Sequence, residues 1–296
     1  MNMLAEVLTG ATIVVVAASI VEGVSQSLAR QEGYDWKAWA CSMADLAGHR
    51  LIHYVPAILI TPVMALLYNH RLFTLGLDSV WSVLLLIVGV DFLYYCYHRA
   101  GHEVRWFWAA HSIHHSPNQL NFGVAYRLGW TERLGALGFF IAPMVLLGYR
   151  PDVVIAAIAL NGLYQFWLHA DWMPKLGWLD RIINTPSNHR VHHASNVEYL
   201  DANYGGVLMV FDHLFGTYVA ERDDVRPKYG WTTPITSNNP VTVNLYPWKT
   251  LVADLRSARS LREALGYLFA APGWRPDGNG QTTAELRRRA ALARAD

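Results

Sequence analysis

Hydrophobic positions gather into five long runs, all within the first 170 residues. The first is 4–23, LAEVLTGATIVVVAASIVEG, with Glu6 and Glu22 near its ends. The second covers 51–68, where Pro56 and Pro62 predict kinks that only packing inside a bundle tolerates. The third, 74–97, is the longest, and the fourth and fifth, 134–149 and 153–168, flank Pro151, where a turn is wanted. A bilayer core takes about 20 apolar residues of helix, with ~18 as a working minimum. The runs therefore predict an all-α, polytopic integral-membrane bundle of five hydrophobic helices, in preference to a soluble helical protein with a large core. Beyond residue 170 the pattern turns polar. There, 175–183 (KLGWLDRII) predicts a short amphipathic helix lying on the membrane. Residues 245–270 read as one helix carrying Arg256, Arg259 and Arg262, and the end beyond Pro272 reads as a mobile or loosely helical tail.

Charge supplies an orientation. No Lys or Arg precedes the first run, whereas 98–133 carries Arg99, Arg105, Arg127 and Arg133, and fifteen basic residues follow residue 170. The positive-inside rule then places the N-terminus outside, and both 98–133 and the tail in the cytoplasm, as five crossings require. The first run lacks a basic leader, so no cleavable signal peptide is expected. Overall, 53% of residues are apolar and 16% charged, and the mean hydropathy of +0.15 averages an apolar first part with a polar second. With 24 basic against 23 acidic residues, no nucleic-acid partner is indicated. The two cysteines, Cys41 and Cys96, exclude a disulfide scaffold, a zinc ribbon and a four-thiolate iron–sulfur cluster.

The 13 histidines change the picture. Three boxes stand out: His98-x-x-x-His102, His111-x-x-His114-His115 and His189-x-x-His192-His193, with His169 alone at the end of the fifth run. On a helix, positions i, i+3 and i+4 share a face, so each box directs two or three imidazoles at one point; Gly101 weakens helix continuity in the first. Eight imidazoles exceed the roughly four ligands of one zinc ion and suit two first-row transition ions. Ligand type alone leaves iron, zinc, copper and nickel open. None of the boxes has Glu after its first His, which disfavours an HExxH hydrolase. His49, His53, His70 and His213 read as ordinary core histidines.

In order and spacing the boxes resemble the fatty acid hydroxylase / sterol desaturase superfamily of membrane non-haem di-iron oxidases. The approach to the first box, Asp91-Phe-Leu-Tyr94-Tyr95-Cys-Tyr97-His98-Arg99, and Trp108-Ala-Ala-His111-Ser-Ile-His114-His115-Ser116 carry the resemblance. So do His189 to Asn196, Asp201-Ala-Asn203-Tyr204-Gly205-Gly206 and Asp212-His213-Leu-Phe215-Gly216-Thr217, a stretch similar to the bacterial sterol desaturase-like and alkylglycerol monooxygenase branches. The superfamily commonly has Arg or Lys where His213 stands, so His213 is not counted as a ligand. The resemblance implies two iron ions, dioxygen, and hydroxylation or desaturation of a C–H bond of a membrane lipid such as a sterol, fatty acyl chain or ether lipid. The ligands would be His98, His102, His111, His114, His115, His189, His192 and His193, with His169 a ninth and no catalytic residue beyond them. Ligating histidines donate their other ring N–H to an acceptor. Asp91, two helical turns before His98, is the first candidate for that duty, with Asn196, Asp201 and Asn203 behind it.

No dinucleotide fingerprint, haem-attachment motif or cluster motif is present. An external electron donor is therefore expected: a cytochrome, a ferredoxin or a reduced pterin. The expected organisation is 1–73 as N-terminal transmembrane helices, 74–222 as the catalytic domain and 223–296 as a cytoplasmic extension. Two rival classes share the His cluster: a membrane zinc hydrolase, and a metal transporter. A transporter would place its ligands mid-bilayer, whereas these boxes lie outside the hydrophobic runs.

Overall fold

The apolar runs fold as helices, and two of the longest end at the same place. The computed structural model describes residues 3–29, 33–52, 54–132, 137–233 and 237–293. His53, Arg30, Arg133 and the start of the fourth run lie outside the described residues. Those described form α1 (Met3–Ala29), α2 (Trp36–Ile52), α3 (Tyr54–Asn69), α4 (Val80–Glu103), α5 (Arg105–His111), α6 (Leu137–Leu147) and α7 (Pro151–Tyr164). Then come α8 (Pro186–His193), α9 (Val210–Phe215), α10 (Pro240–Ser257), α11 (Leu261–Phe269) and α12 (Thr283–Leu292). Among the described residues there is no strand, only an isolated antiparallel bridge between Ile183 and Leu208. The all-α expectation holds.

Among the described residues, three helices are long and apolar enough to cross a membrane: Thr9–Ala29, Val80–Glu103, and Pro151–His169, in which a 3₁₀ turn (Gln165–His169) continues α7. Ile60–Asn69 and α6 are apolar but shorter. The third run begins its helix only at Val80, after Ser79. Leu86 and Val90 of α4 pack with Met64 of α3, Met144 and Val145 of α6 and Val154 of α7 into the main apolar core. The opposite faces leave Val80, Trp81, Ile87, Ile155 and Leu160 exposed. Such a surface is unfavourable in water by about 25 cal/mol per Å² and neutral in hydrocarbon.

Backbone bonds set the register of these helices. Leu72 and Phe73, in the link between α3 and α4, donate to the carbonyls of Leu146 and Leu147 at the end of α6, at 2.8 and 3.1 Å. The chain therefore enters α4 and α7 from one end of the bundle and leaves both at the other. His98 and His102 on α4 and His169 after α7 arrive at the same level for that reason.

Asp91 locks this arrangement. Its carboxylate, 1% exposed, accepts from Asn161 Nδ2 of α7 at 2.7 Å and from the backbone amides of Val207 and Leu208, both at 2.9 Å. Its bonds thus hold α7 and the 207–208 loop against α4 and support no histidine ring, which corrects the expectation. Seven residues of helix separate Asp91 from His98 by about 10 Å along the axis, out of hydrogen-bond reach.

Three further expectations change. Residues 175–183 form no surface helix: Gly177 takes φ +70, and only the 3₁₀ turn Gly177–Arg181 forms. The Asp180 side chain is drawn inward to Thr185 Oγ1 at 2.5 Å. The helix read over 245–270 breaks after Ser257, because Ser260 caps a new helix by accepting from the Glu263 amide. The tail is a regular helix, α12, opened at its N-terminus by a Thr282/Glu285 capping box.

Replacing Asp91 by Ala would take the acceptor from the buried Asn161 amide and from the half-buried Val207 and Leu208 amides. We expect a loss of about 3 kcal/mol, read as a lowered unfolding midpoint in detergent, with Asp91→Asn, which keeps one acceptor oxygen, milder.

Candidate metal centre

Nine histidines converge where α4, α5, α7 and α8 end. All are at most 7% exposed. The first box lies in the last turns of α4, and its Gly101 serves close packing: a Cβ there would sit 3.3 Å from His111 Cγ. In the second box only His111 is helical, closing α5. His114 and His115 follow in tight turns whose amides donate to His111 O and Ser112 O. The third box forms α8, entered through Pro186 at its first turn. Arg190, inside that box, points away from the rings: Glu221 takes it bidentately at 2.9 and 2.7 Å, and the Met173 carbonyl at 2.7 Å.

The rings divide into two groups. His98, His102, His111, His115 and His192 form one; His114, His169, His189 and His193 form the other, and within each group the facing atoms lie within 4.8 Å of one another. Nε2 of His111 and His115 are 3.2 Å apart. In the second group the Nε2 separations are 3.4 Å for His114–His169, 3.1 Å for His169–His189 and 3.0 Å for His189–His193.

The outer nitrogens determine what the inner ones offer. Nδ1 of His98 meets the Tyr204 carbonyl at 2.9 Å, Nδ1 of His192 the Ala202 carbonyl at 3.0 Å, and Nδ1 of His169 the Gln165 carbonyl at 3.0 Å. A carbonyl only accepts, so each of these rings carries its proton on Nδ1 and turns an Nε2 lone pair inward. His102 Nδ1 lies 3.5 Å from Asp201 Oδ1, and His111 Nδ1 lies 3.6 Å from Glu132 Oε1. Nε2 of His98, His102 and His192 is buried without a hydrogen-bond partner. Burial, reinforced by neighbouring imidazoles, pushes His114, His115, His189, His192 and His193 well below the usual histidine range, so they are neutral. Converging neutral lone pairs repel unless a cation lies between them. Metal–nitrogen bonds of about 2.0–2.1 Å place neighbouring ligand nitrogens about 3.0–3.4 Å apart, which is the spacing seen. Each group fits one transition-metal ion.

Of the four residues expected to support the rings, Asp201 alone faces one. Asn196 binds the Arg226 carbonyl and the Lys228 amide. Asn203, in a left-handed conformation (φ 58), bridges the Asn188 and Val219 carbonyls. Both brace backbone 15 to 32 residues away in sequence and so tie separate loops together. Glu132 was not anticipated. It accepts from Tyr97 OH at 2.5 Å besides facing His111. Burial acts to raise its carboxyl, but the His111 and Tyr97 contacts outweigh burial and hold it below the usual carboxylate range. Asp212 acts one step further back, accepting from the Tyr204 and Gly205 amides and so placing the carbonyl that receives His98. Outside the cluster, His49 is buried with Nδ1 3.3 Å from the Gly129 carbonyl. His70 and His213 are exposed, so neither is the core histidine expected.

A cavity of about 300 Å³ opens on His102, His115, His192 and His193. Its far wall comes from the C-terminal segment, with Trp231, Tyr267 and Trp274.

A fatty acid hydroxylase family model matches residues 83–217. The chain is 38% identical to alkylglycerol monooxygenase of Homo sapiens over 208 residues, 70% of this chain and 46% of that protein. It is 34% identical to alkylglycerol monooxygenase of Caenorhabditis elegans over 223 residues, 70% of this chain and 43% of that one. With ornithine lipid hydroxylase OlsE of Rhizobium tropici the identity is 29% over 154 residues, 52% and 46% of the two chains. The chain thus spans about half the length of the curated relatives it matches, and no solved structure matches it. The stretch 83–217 that matches the fatty acid hydroxylase model carries all three boxes, His169 and Glu132.

Proposed function

We propose that this chain is an integral-membrane di-iron oxygenase that hydroxylates a C–H bond of a lipid. The observation that carries the reading is the pair of buried groups of inward-facing ring nitrogens. His98, His102, His111, His115 and His192 would hold one iron, and His114, His169, His189 and His193 the other. When bound, iron supplies the activation of dioxygen that an unactivated C–H bond requires. The chain's own residues fix the rest. Carbonyls of Tyr204, Ala202 and Gln165 keep the proton on Nδ1 and so keep the lone pairs inward. Glu132 and Asp201 orient His111 and His102.

The balance is one lipid C–H and one dioxygen, with two electrons and two protons, giving an alcohol and water. The electrons come from outside the chain, through a cytochrome, a ferredoxin or a reduced pterin. The half-open cavity beside His102 and His192 offers such a polar reactant a way in, while the exposed apolar faces of α1, α4 and α7 keep the cluster at the membrane, where the lipid is. In this reading 1–73 anchors the chain, 74–222 forms the catalytic domain and 223–296 caps it on the cytoplasmic side. The names of the relatives, two monooxygenases and a hydroxylase, favour hydroxylation over desaturation and an ether or other membrane lipid as substrate. They give the zinc hydrolase reading no support.

Full-length protein purified anaerobically should hold about two irons. His102→Ala and His169→Ala should each bring the content to about one, by emptying different groups, whereas His70→Ala should leave it unchanged; elemental mass spectrometry reads all three. Membranes containing the protein, supplied with a reductant and ¹⁸O₂, should yield lipid carrying one heavy oxygen, and His115→Ala or His192→Ala should abolish that label. Zinc as the metal that iron does not replace, or product without label, would overturn the reading.

A further inference from the structure

The carboxylate behind His111 is itself held by a helix outside the family-matched stretch. Glu132 follows Trp130 and Thr131, and α10 grips both. Asn244 Oδ1 accepts from the Trp130 amide at 2.8 Å, and Trp248 Nε1 donates to Thr131 Oγ1 at 2.9 Å. Asn244 and Trp248 are four residues apart, so they lie one above the other on one helix face. The Asn244 amide has a single orientation: its Nδ2 donates to Asp45 Oδ1 at 2.6 Å and to the Pro240 carbonyl at 2.8 Å. Both partners only accept there, which leaves Oδ1 for Trp130. Asp45 is fully buried on α2, with Arg127 Nε 3.8 Å away. The Trp248 ring also meets Trp106 of α5 edge-on at 5.0 Å, and α5 ends in His111. One helix thus fixes the two residues before Glu132 and the helix that carries the ring Glu132 faces.

We propose that Asn244 and Trp248 are positioning residues for the metal centre: they clamp the 130–131 backbone so that Glu132 stays against His111. The C-terminal segment is then part of the ligand support and more than an appended cap. This rests on the proposed metal centre for its consequence, and on the contacts alone for the clamp.

Two measurements on the full-length protein in detergent separate the levels. In metal-free protein, amide exchange over 129–132 should quicken about tenfold or more in Asn244→Ala and Trp248→Phe, the second keeping an aromatic ring against Trp106 while removing the donor. Val252→Ala, on an exposed part of the same helix, should change nothing there. In protein loaded with Fe(II), release to a chelator should quicken about 10–100-fold in Glu132→Gln. It should quicken about three- to tenfold in Asn244→Ala and Trp248→Phe, as a fraction of that loss. Because both act through Glu132, Asn244→Ala added to Glu132→Gln should give less than about twofold more. Unchanged exchange in both variants, or release effects that multiply in the double variant, would overturn the proposal. Wild-type protein that binds no metal would instead overturn the proposed centre, and exchange would still decide the clamp.

Discussion

Nine buried imidazoles with their ring nitrogens packed within a few ångströms of each other set the terms for the rest of the molecule. Burial removes the water that would otherwise solvate them, and proximity forbids the rings to charge together. An imidazole in that position must place its one proton elsewhere. A ring so placed is held by an acceptor on its outer side, and for five of the nine the fold supplies one, from separate places: the Tyr204 and Ala202 carbonyls, the Gln165 carbonyl, Asp201 and Glu132. The 201–205 turn carries three of them. That explains why Asp201 and Asn203 both tolerate positive φ and why Asp212 is spent on the amides of 204 and 205.

Delivering the rings to one level is a problem of helix ends. An apolar helix positions its last turn well only if its axial register is fixed, and sliding apolar surfaces do not fix register. Polar bonds inside the apolar bundle do so here. The backbone pairing of 72–73 with 146–147 sets one end. Asp91, bonded to Asn161 and to the amides of 207 and 208, sets the middle and also ties in the loop that leads from the Tyr204 turn. A buried carboxylate is expensive unless its bonds are satisfied, and Asp91 has three.

Legibility in the sequence follows the range of the interactions. The helices showed because an apolar run is a local signal, and the boxes showed because i, i+3 and i+4 spacing is local too. His169 was visible as a polar residue ending an apolar run. Glu132 carried no such signal: it lies between two boxes, at no helical spacing from His111, and its meaning arises from a turn that brings it back. Backbone carbonyls have no residue type and cannot be read at all. Asp91 was legible as important but assigned to the wrong partner, since its spacing named a helix face while its partners lie 70 to 117 residues away. The break at 258–260 was readable in principle, because Ser260 followed by Glu263 is a capping pattern.

The boxes were expected to aim all their rings at a point. Instead, positions i and i+4 share a group and position i+3 belongs to the other. His111 and His115 join the first group while His114 joins the second; His189 and His193 join the second while His192 joins the first. In the third box, which is helical as α8, i and i+4 diverge by about 40° at about 100° per residue, whereas i+3 and i+4 diverge by about 100°; in the second box the tight turns after α5 bring His114 and His115 to the same division. An HxxHH box is therefore a divergent unit that lends two rings to one site and one to its neighbour. Two such boxes facing each other lend in opposite senses and make three ligands for each site. The HxxxH box, which lacks the third His, adds both its rings to the first group, and His169 adds one to the second. Five and four follow from this division of the boxes, and so does a pair of sites that cannot be separated: each HxxHH box spans both, so neither site can shift without moving ligands of the other.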